Sequence, residues 1–308
     1  LALGAAAHAG EWPDKPVVVM VPFATGGATQ ALIERVGRQI TAQIGQSLLP
    51  NYRGGAGGTI AAEAAAKAQP DGYTMFMGAT GALAVAPAVM DVRFDPVKDF
   101  TPVALIATTP YVMVINSKLP IHNVPELIEY ARQNPGKLNF GSSGAGGADH
   151  IAGEVFQNMA GVKITHVPYK GAGPLMPDLL SGRLDMAILS PIPVKPHIQS
   201  GQLRALGVTT KARSPALKEI PSIAEQGLPD YDLTAWYGFL APAGTPSSVV
   251  ERLNQATMTA LHDQDILAYL DGQGLTPGTG SPGEFAAFVR QEIGKWGESA
   301  RMTGVRIQ

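Results

Sequence analysis

The segment "VVVMVPFATGGATQALIERV", residues 17–36, sets five apolar residues and a proline ahead of two adjacent glycines, and a helical pattern begins at once. From Val17 through Ala31 it holds no Lys, Arg, Asp or Glu. The apolar run to Phe23 reads as a strand buried on both faces, and Leu32, Ile33, Val36, Ile40 and Ile44 follow at helical spacing up to Gly45. A strand covered on both faces that turns straight into an amphipathic helix belongs in a parallel sheet with helices on either side.

The alternation continues along the chain. A short edge strand and an Ala-rich helix follow, and Pro70-Asp71-Gly72 turns into a strand at Thr74–Met77. A second series begins with "VPELIEYARQNPGK", which has Pro125 in a first helical turn and Asn134-Pro135-Gly136 as a stop. The strands "LNFGSS", "ITHVPY", "DMAILS" and "LRALGVTT" alternate there with helices, one carrying Ile151, Val155, Phe156 and Met159 on a single face. The last sixty residues read as helical.

At 308 residues the chain exceeds the usual size of one core, so two domains are expected. Two long extended stretches, "FTPVALIATTPYVMVIN" broken by Pro110 and "AWYGFLAPAGTP", read as crossings between them. The expected division is residues 10–108 with 238–308 as one lobe and 109–237 as the other. A formal charge of −2, with Lys and Arg spread singly, gives no electrostatic footprint for nucleic acid or an anionic membrane. Cysteine is absent, which excludes disulfides, thiolate metal sites and cysteine nucleophiles. Ala7-His8-Ala9 is an A-x-A processing pattern, and residues 1–9 read as the tail of a secretory signal.

Three segments are rich in glycine: Thr25-Gly26-Gly27-Ala28-Thr29, Gly54 to Thr59, and Gly141-Ser142-Ser143-Gly144-Ala145-Gly146-Gly147. The first and third share a layout of strand, glycine turn and helix start, one in each expected domain. Such turns expose backbone N–H groups at the positive end of a helix, an anion site that needs no cationic side chain. The hydroxyls of Thr25, Thr29, Ser142 and Ser143 add donors. Asp149 reads as an N-cap, and its charge places the anion nearer Ser142–Gly146. His150 reads as an orienting or capping group.

Enzyme motifs fail. G-x-G-x-x-G is incomplete at both glycine loops, no Walker sequence occurs, and Gly141-Ser142-Ser143-Gly144-Ala145 misses the nucleophile elbow by its last residue. The six histidines contain no pair at zinc-site spacing.

Nine stretches, in order from residue 12 to about 246, resemble the tripartite tricarboxylate transporter substrate-binding (Bug receptor) family: "WPDKPVVVMVPFATGGAT", "NYRGGAGG", "AQPDGYTMFMG", "DPVKDFTPVALIA", "GSSGAGGADHIAGEVF", "THVPYKGAG", "LLSGRLDMAI", "LRALGVTT" and "GFLAPAGTP". The resemblance implies an α/β chain with the two-lobed periplasmic-binding-protein fold (type II-like), its two parallel or mixed domains joined by two hinge crossings. It implies a non-enzymatic, cofactor-free, exported receptor that closes on a small carboxylate and delivers it to a membrane permease. In such a receptor Phe23, Thr25, Gly26, Gly27, Thr29 and Gln30 grip from one lobe, with Thr80 nearby. Ser142, Ser143, Gly144, Gly146 and Gly147 grip from the other, and Tyr169, Ser190 and Trp236 form walls.

Three departures bear on the ligand. Gln30 stands where the family often has Asp, Leu83-Ala84-Val85-Ala86-Pro87 replaces a polar His-Ala-Ile-Asn-Pro, and Leu189 ends a strand that often ends in an acid. A pocket without that acid loses a partner for a ligand amine, so the expected ligand is a carboxylate with an apolar body. A sensor subunit for the same ligand class and a hydrolase using the glycine turns are the competing readings.

Overall fold

A computed structural model describes residues 12–307; the expected signal remnant lies outside the described residues. The first sheet takes β1 (Val17–Val21), β2 (Leu48–Tyr52), β3 (Thr74–Ala79), β4 (Phe100–Pro110), β10 (Thr234–Pro242) and β11 (Thr276–Pro277), in the order β11-β4-β10-β3-β1-β2. The second takes β5 (Val112–Asn116), β6 (Asn139–Ser142), β7 (Thr165–Pro168), β8 (Met186–Leu189) and β9 (Leu203–Val208), in the order β7-β6-β8-β5-β9. Strand β1 is parallel to β2 and β3, and β6 is parallel to β7 and β8. The strands next to the crossings, β4, β5 and β10, pair antiparallel, so both sheets are mixed.

Helices cover both faces of each sheet. In the first lobe α1 (Ala28–Ile44) packs Leu32, Ile33, Val36 and Ile40 on Val17, Val19 and Val21, and Gly45 ends it in a left-handed turn at φ 78°. The same apolar face meets α8 (Ser247–Leu261) through Val249, Val250 and Leu253. Helix α2 (Thr59–Ala66) lies on the opposite face with Phe76, Phe100 and Trp236, and the short α3 (Ala86–Val89) buries Val89 in the second lobe's core. In the second lobe α4 (Val124–Gln133) and α5 (Ala148–Ala160) cover one face, and α6 (Ala172–Ser181) and α7 (Pro191–Gln199) the other. These two mixed α/β layers make the two-lobed fold expected from the sequence.

The C-terminal stretch is not wholly helical. Between α9 (Gln264–Gln273) and α10 (Pro282–Thr303), the two residues of β11 pair with Thr108 and Ala107 at the edge of the first sheet. A two-residue strand carries no periodicity by which a sequence could announce it. Helix α10, fixed at its start by a Ser281–Glu284 capping box, spans both lobes. Its Phe285 and Val289 pack with Trp236, and its Trp296 and Ala300 pack with Ile151 and Val155.

The chain leaves the first sheet at Pro110, enters the second at Val112, and rejoins the first at Thr234. Thr209 binds the two passages together. Its hydroxyl donates to Leu233 O at 2.7 Å and accepts from Tyr111 N at 2.8 Å, and its own N–H donates to Tyr111 O at 3.0 Å.

Candidate functional site

Between the lobes lies a cleft with roughly 500 Å³ of atom-free space, its open mouth included. Four helices point their N-termini into it. Gly27, Ala28 and Thr29 come from α1, Ala148 and Asp149 from α5, Ala172 from α6, and Ser190 and Pro193 from α7. Among the described residues the lining contains no Lys or Arg. Each N-terminus carries about half a positive charge from N–H groups that lack intrahelical partners, so the cleft attracts anions through backbone alone.

The two glycine turns differ in how much they leave free. In the first, Gly27 is an N-cap without a side-chain bond, and the helical ladder begins with Ala31 N donating to Gly27 O at 3.3 Å. Ala28 and Thr29 stand ahead of that ladder. The Thr29 hydroxyl is buried and has no hydrogen-bond partner. Gln30 faces the turn and not the cleft: its Oε1 accepts from Gly26 N at 2.6 Å, and its Nε2 donates to Glu34 at 2.7 Å.

The second turn is tied up internally. Gly147, not Asp149, is the N-cap of α5; Asp149 sits two residues further and folds its side chain back over the turn. Its carboxylate accepts from Ser143 N at 2.5 Å and from His150 N at 3.0 Å. Gly144 N donates to the Ser142 hydroxyl at 3.2 Å, Gly146 N to His150 Nδ1 at 3.1 Å, and Gly147 N to Gly144 O at 3.0 Å. Behind the turn the His150 and His166 rings stack at 3.7 Å, and His166 Nε2 lies 2.7 Å from Ser142 Oγ. Burial, and then the neighbouring His150, hold His166 down at about 3, so this ring is neutral at pH 7. What this turn offers an anion is the start of α5 at Ala148, beside a buried Asp149 carboxyl that desolvation raises above its ordinary value.

Opposite stand Ser190, at the N-cap of α7, and two phenols. Ser190 Oγ is buried, with the Tyr237 hydroxyl as its neighbour. Burial pushes the Tyr237 phenol to about 12 and Tyr111 well above its usual value, so both are neutral donors. Leu189, Pro193, Ala79 and Phe23 supply an apolar wall.

The cleft thus brings together Phe23, Gly27, Thr29, Ser143 and Ser190 from the residues singled out in the sequence. Thr25 and Gly26 sit at its exposed rim. Thr80 is buried behind it, its hydroxyl accepting from Trp236 N at 2.8 Å. Trp236 is fully buried against Phe285. Tyr169 turns away and donates to Asp178 at 2.7 Å. Tyr111, Tyr237 and Pro193 were not singled out as ligand contacts. Period-2 alternation along β10 separates Tyr237 from Trp236 onto opposite faces, and that was the available signal.

A two-lobed α/β protein with an interlobe cleft built from helix N-termini belongs to the solute-binding class. The particular family follows from comparison: the description "Tripartite tricarboxylate transporter family receptor" matches residues 33–305, and the chain belongs to that family. It is 32% identical to protein BugT of Bordetella pertussis over 99% of this chain and 94% of that protein. Rpa4515 of R. palustris, solved with adipate, superposes with a TM-score of 0.92 at 38% identity, covering 96% of this chain and 99% of that one. MatC of Rhodopseudomonas palustris, solved with malate, gives 0.90 at 30% identity over 94% and 100%.

Proposed function

We propose that this chain is a non-catalytic extracytoplasmic receptor that captures a small organic carboxylate between its lobes and presents it to the permease of a tripartite transporter. The observation that carries the reading is the convergence of four helix N-termini on a cleft whose lining holds no Lys or Arg among the described residues, with the buried Thr29 and Ser190 hydroxyls beside it and that of Thr29 lacking a partner. A carboxylate supplies acceptors for both hydroxyls and for the N–H groups of Ala28, Thr29 and Ala148. The adipate and malate bound by the two structural relatives support the ligand class. None of the described helices is long and apolar enough to cross a membrane, which fits a receptor acting outside the bilayer.

The ligand's body is apolar. Leu189, Pro193 and Phe23 offer it surface, and both oxygens of Asp149 are engaged by backbone N–H groups, leaving that acid braced on the turn and not directed at an amine. Lobe closure pivots on the paired passages at Tyr111 and Leu233, a few residues from the expected divisions at 108/109 and 237/238. Ligand binding biases the open–closed equilibrium toward closure.

A thermal-shift screen tests this reading, with mono- and dicarboxylates, aromatic carboxylates, amino acids, sugars and phosphate esters. A ligand at a hundredfold excess over Kd stabilises the native state by about 2.7 kcal/mol. Shifts with carboxylates are expected; shifts confined to sugars or phosphate esters would refute it.

A further inference from the structure

Where the lobes meet at the mouth of the cleft, the contact is backbone against backbone. Ala24 N of the first lobe donates to Lys170 O of the second at 2.9 Å. Gly26 lies against Gly173, and Gly57 against Gly144 and Gly146. Most of these glycines have a local reason to be glycine. Gly26, Gly57, Gly144, Gly146 and Gly171 all have positive φ, where a side chain strains the backbone whatever the space around it.

Gly173 has no such reason. It lies in the first turn of α6 outside the left-handed region, where alanine is the better helix former. A Cβ at 173 would overlap the carbonyl oxygen of Thr25 and stand 3.0 Å from its carbonyl carbon and 3.2 Å from Gly26 Cα. All three atoms belong to the opposite lobe. The steric demand for glycine at 173 therefore exists only when the lobes are together.

We propose that Gly173 is a positioning residue for ligand capture: its missing side chain lets the start of α6 seat against Thr25 and Gly26, and any larger residue there holds the lobes apart. In the seated state Ala172 lines the cleft from one side of this contact and Gly27 from the other. A methyl at 173 would separate those two N-termini and leave the Ala24–Lys170 hydrogen bond unmade. The inference rests on the lobe-closing receptor reading above.

The chain has no cysteine, so closure can be read by a cysteine pair placed across the mouth, Ala24→Cys with Lys170→Cys. With glycine at 173 the pair is expected to cross-link on oxidation. Gly173→Ala, and Gly173→Ser as a second variant, should slow cross-linking at least tenfold while the melting temperature of the ligand-free chain is unchanged or higher. Gly37→Ala, in α1 where an added Cβ meets nothing nearer than 3.5 Å, should cross-link like the parent. A parallel arm uses adipate: the parent should show a thermal shift that Gly173→Ala loses. Cross-linking of Gly173→Ala at the parent's rate would overturn the proposal, as would a parent pair that never cross-links with or without adipate. No adipate shift in either chain counts against the carboxylate reading, and the cross-linking result still decides the role of Gly173.

Discussion

The carboxylate of Asp149 accepts the backbone N–H of Ser143 at 2.5 Å and so closes the second-lobe turn on itself. The two glycine turns look alike in sequence, yet only the first adds a buried, unpartnered hydroxyl to the leading N–H groups of its helix. On the proposed function an anion is gripped by α1 from the first lobe and by Ala148 and Ser190 from the other.

Removal of the two buried hydroxyls should separate binding from stability. Thr29→Val deletes a buried polar group that lacks a partner, whose burial costs about 1–3 kcal/mol, whereas Ser190→Ala deletes one that neighbours the Tyr237 hydroxyl. Folding stability should hold or rise in Thr29→Val and change little in Ser190→Ala. Carboxylate affinity should fall about tenfold each, since a lost hydrogen bond to a charged ligand is worth about 1.5–3 kcal/mol. Calorimetric titration with parallel urea unfolding checks both statements.

Asp149 sets a pH dependence of known sign. Burial raises its folded pKa above the unfolded value, so the folded state binds more protons in the window between them. Its contribution to stability therefore falls as pH rises through the folded pKa. Asp149→Asn removes that titration. Urea unfolding followed from the ordinary carboxylate range up to neutral pH should show the parent gaining on Asp149→Asn toward the acid end.

Tyr169 should be dispensable for capture. Its hydroxyl is committed to Asp178, which also holds Arg183, and burial with that hydrogen bond raises the phenol to about 12. Tyr169→Phe should lower the melting temperature slightly and leave carboxylate affinity within twofold of the parent.

The proposed apolar body of the ligand is tested at the wall that would meet it. Leu189→Asp places a carboxylate beside Ser190 and Pro193, where an incoming ammonium would find a partner. Affinity for the carboxylate that shifts the parent most in the thermal panel should fall at least tenfold, and preference should move toward amino acids. An unchanged ligand order in the same thermal-shift panel would exclude Leu189 from the site.

Much of this fold is legible in the sequence because strand, glycine turn and amphipathic helix recur in local windows. Val17 to Ile44 contains a strand, an N-terminus and a helix stop within one stretch of chain. The asymmetry of the turns is not legible, because it depends on side chains folding back: Asp149 onto Ser143, six residues away, and Gln30 onto Gly26, four away. Either residue could as well have faced the cleft. Trp236 and Tyr237 are adjacent and both aromatic, and only the sheet decides that Tyr237 meets the ligand space while Trp236 enters the core. Gly173 is one glycine among 36, and its role emerges only when the Thr25 carbonyl is placed against it.

Isothermal titration with the aliphatic dicarboxylate that gives this chain its largest thermal shift, and with the diamide of the same acid, separates recognition of charge from recognition of shape. The two molecules match in length and apolar body, and only the carboxylates offer charge to the four helix N-termini. Heat and saturable binding are expected with the dicarboxylate, at least a hundredfold weaker binding with the diamide, and no rescue of the diamide at low salt. Equal affinity for the two, or binding of the diamide alone, would contradict recognition of charge.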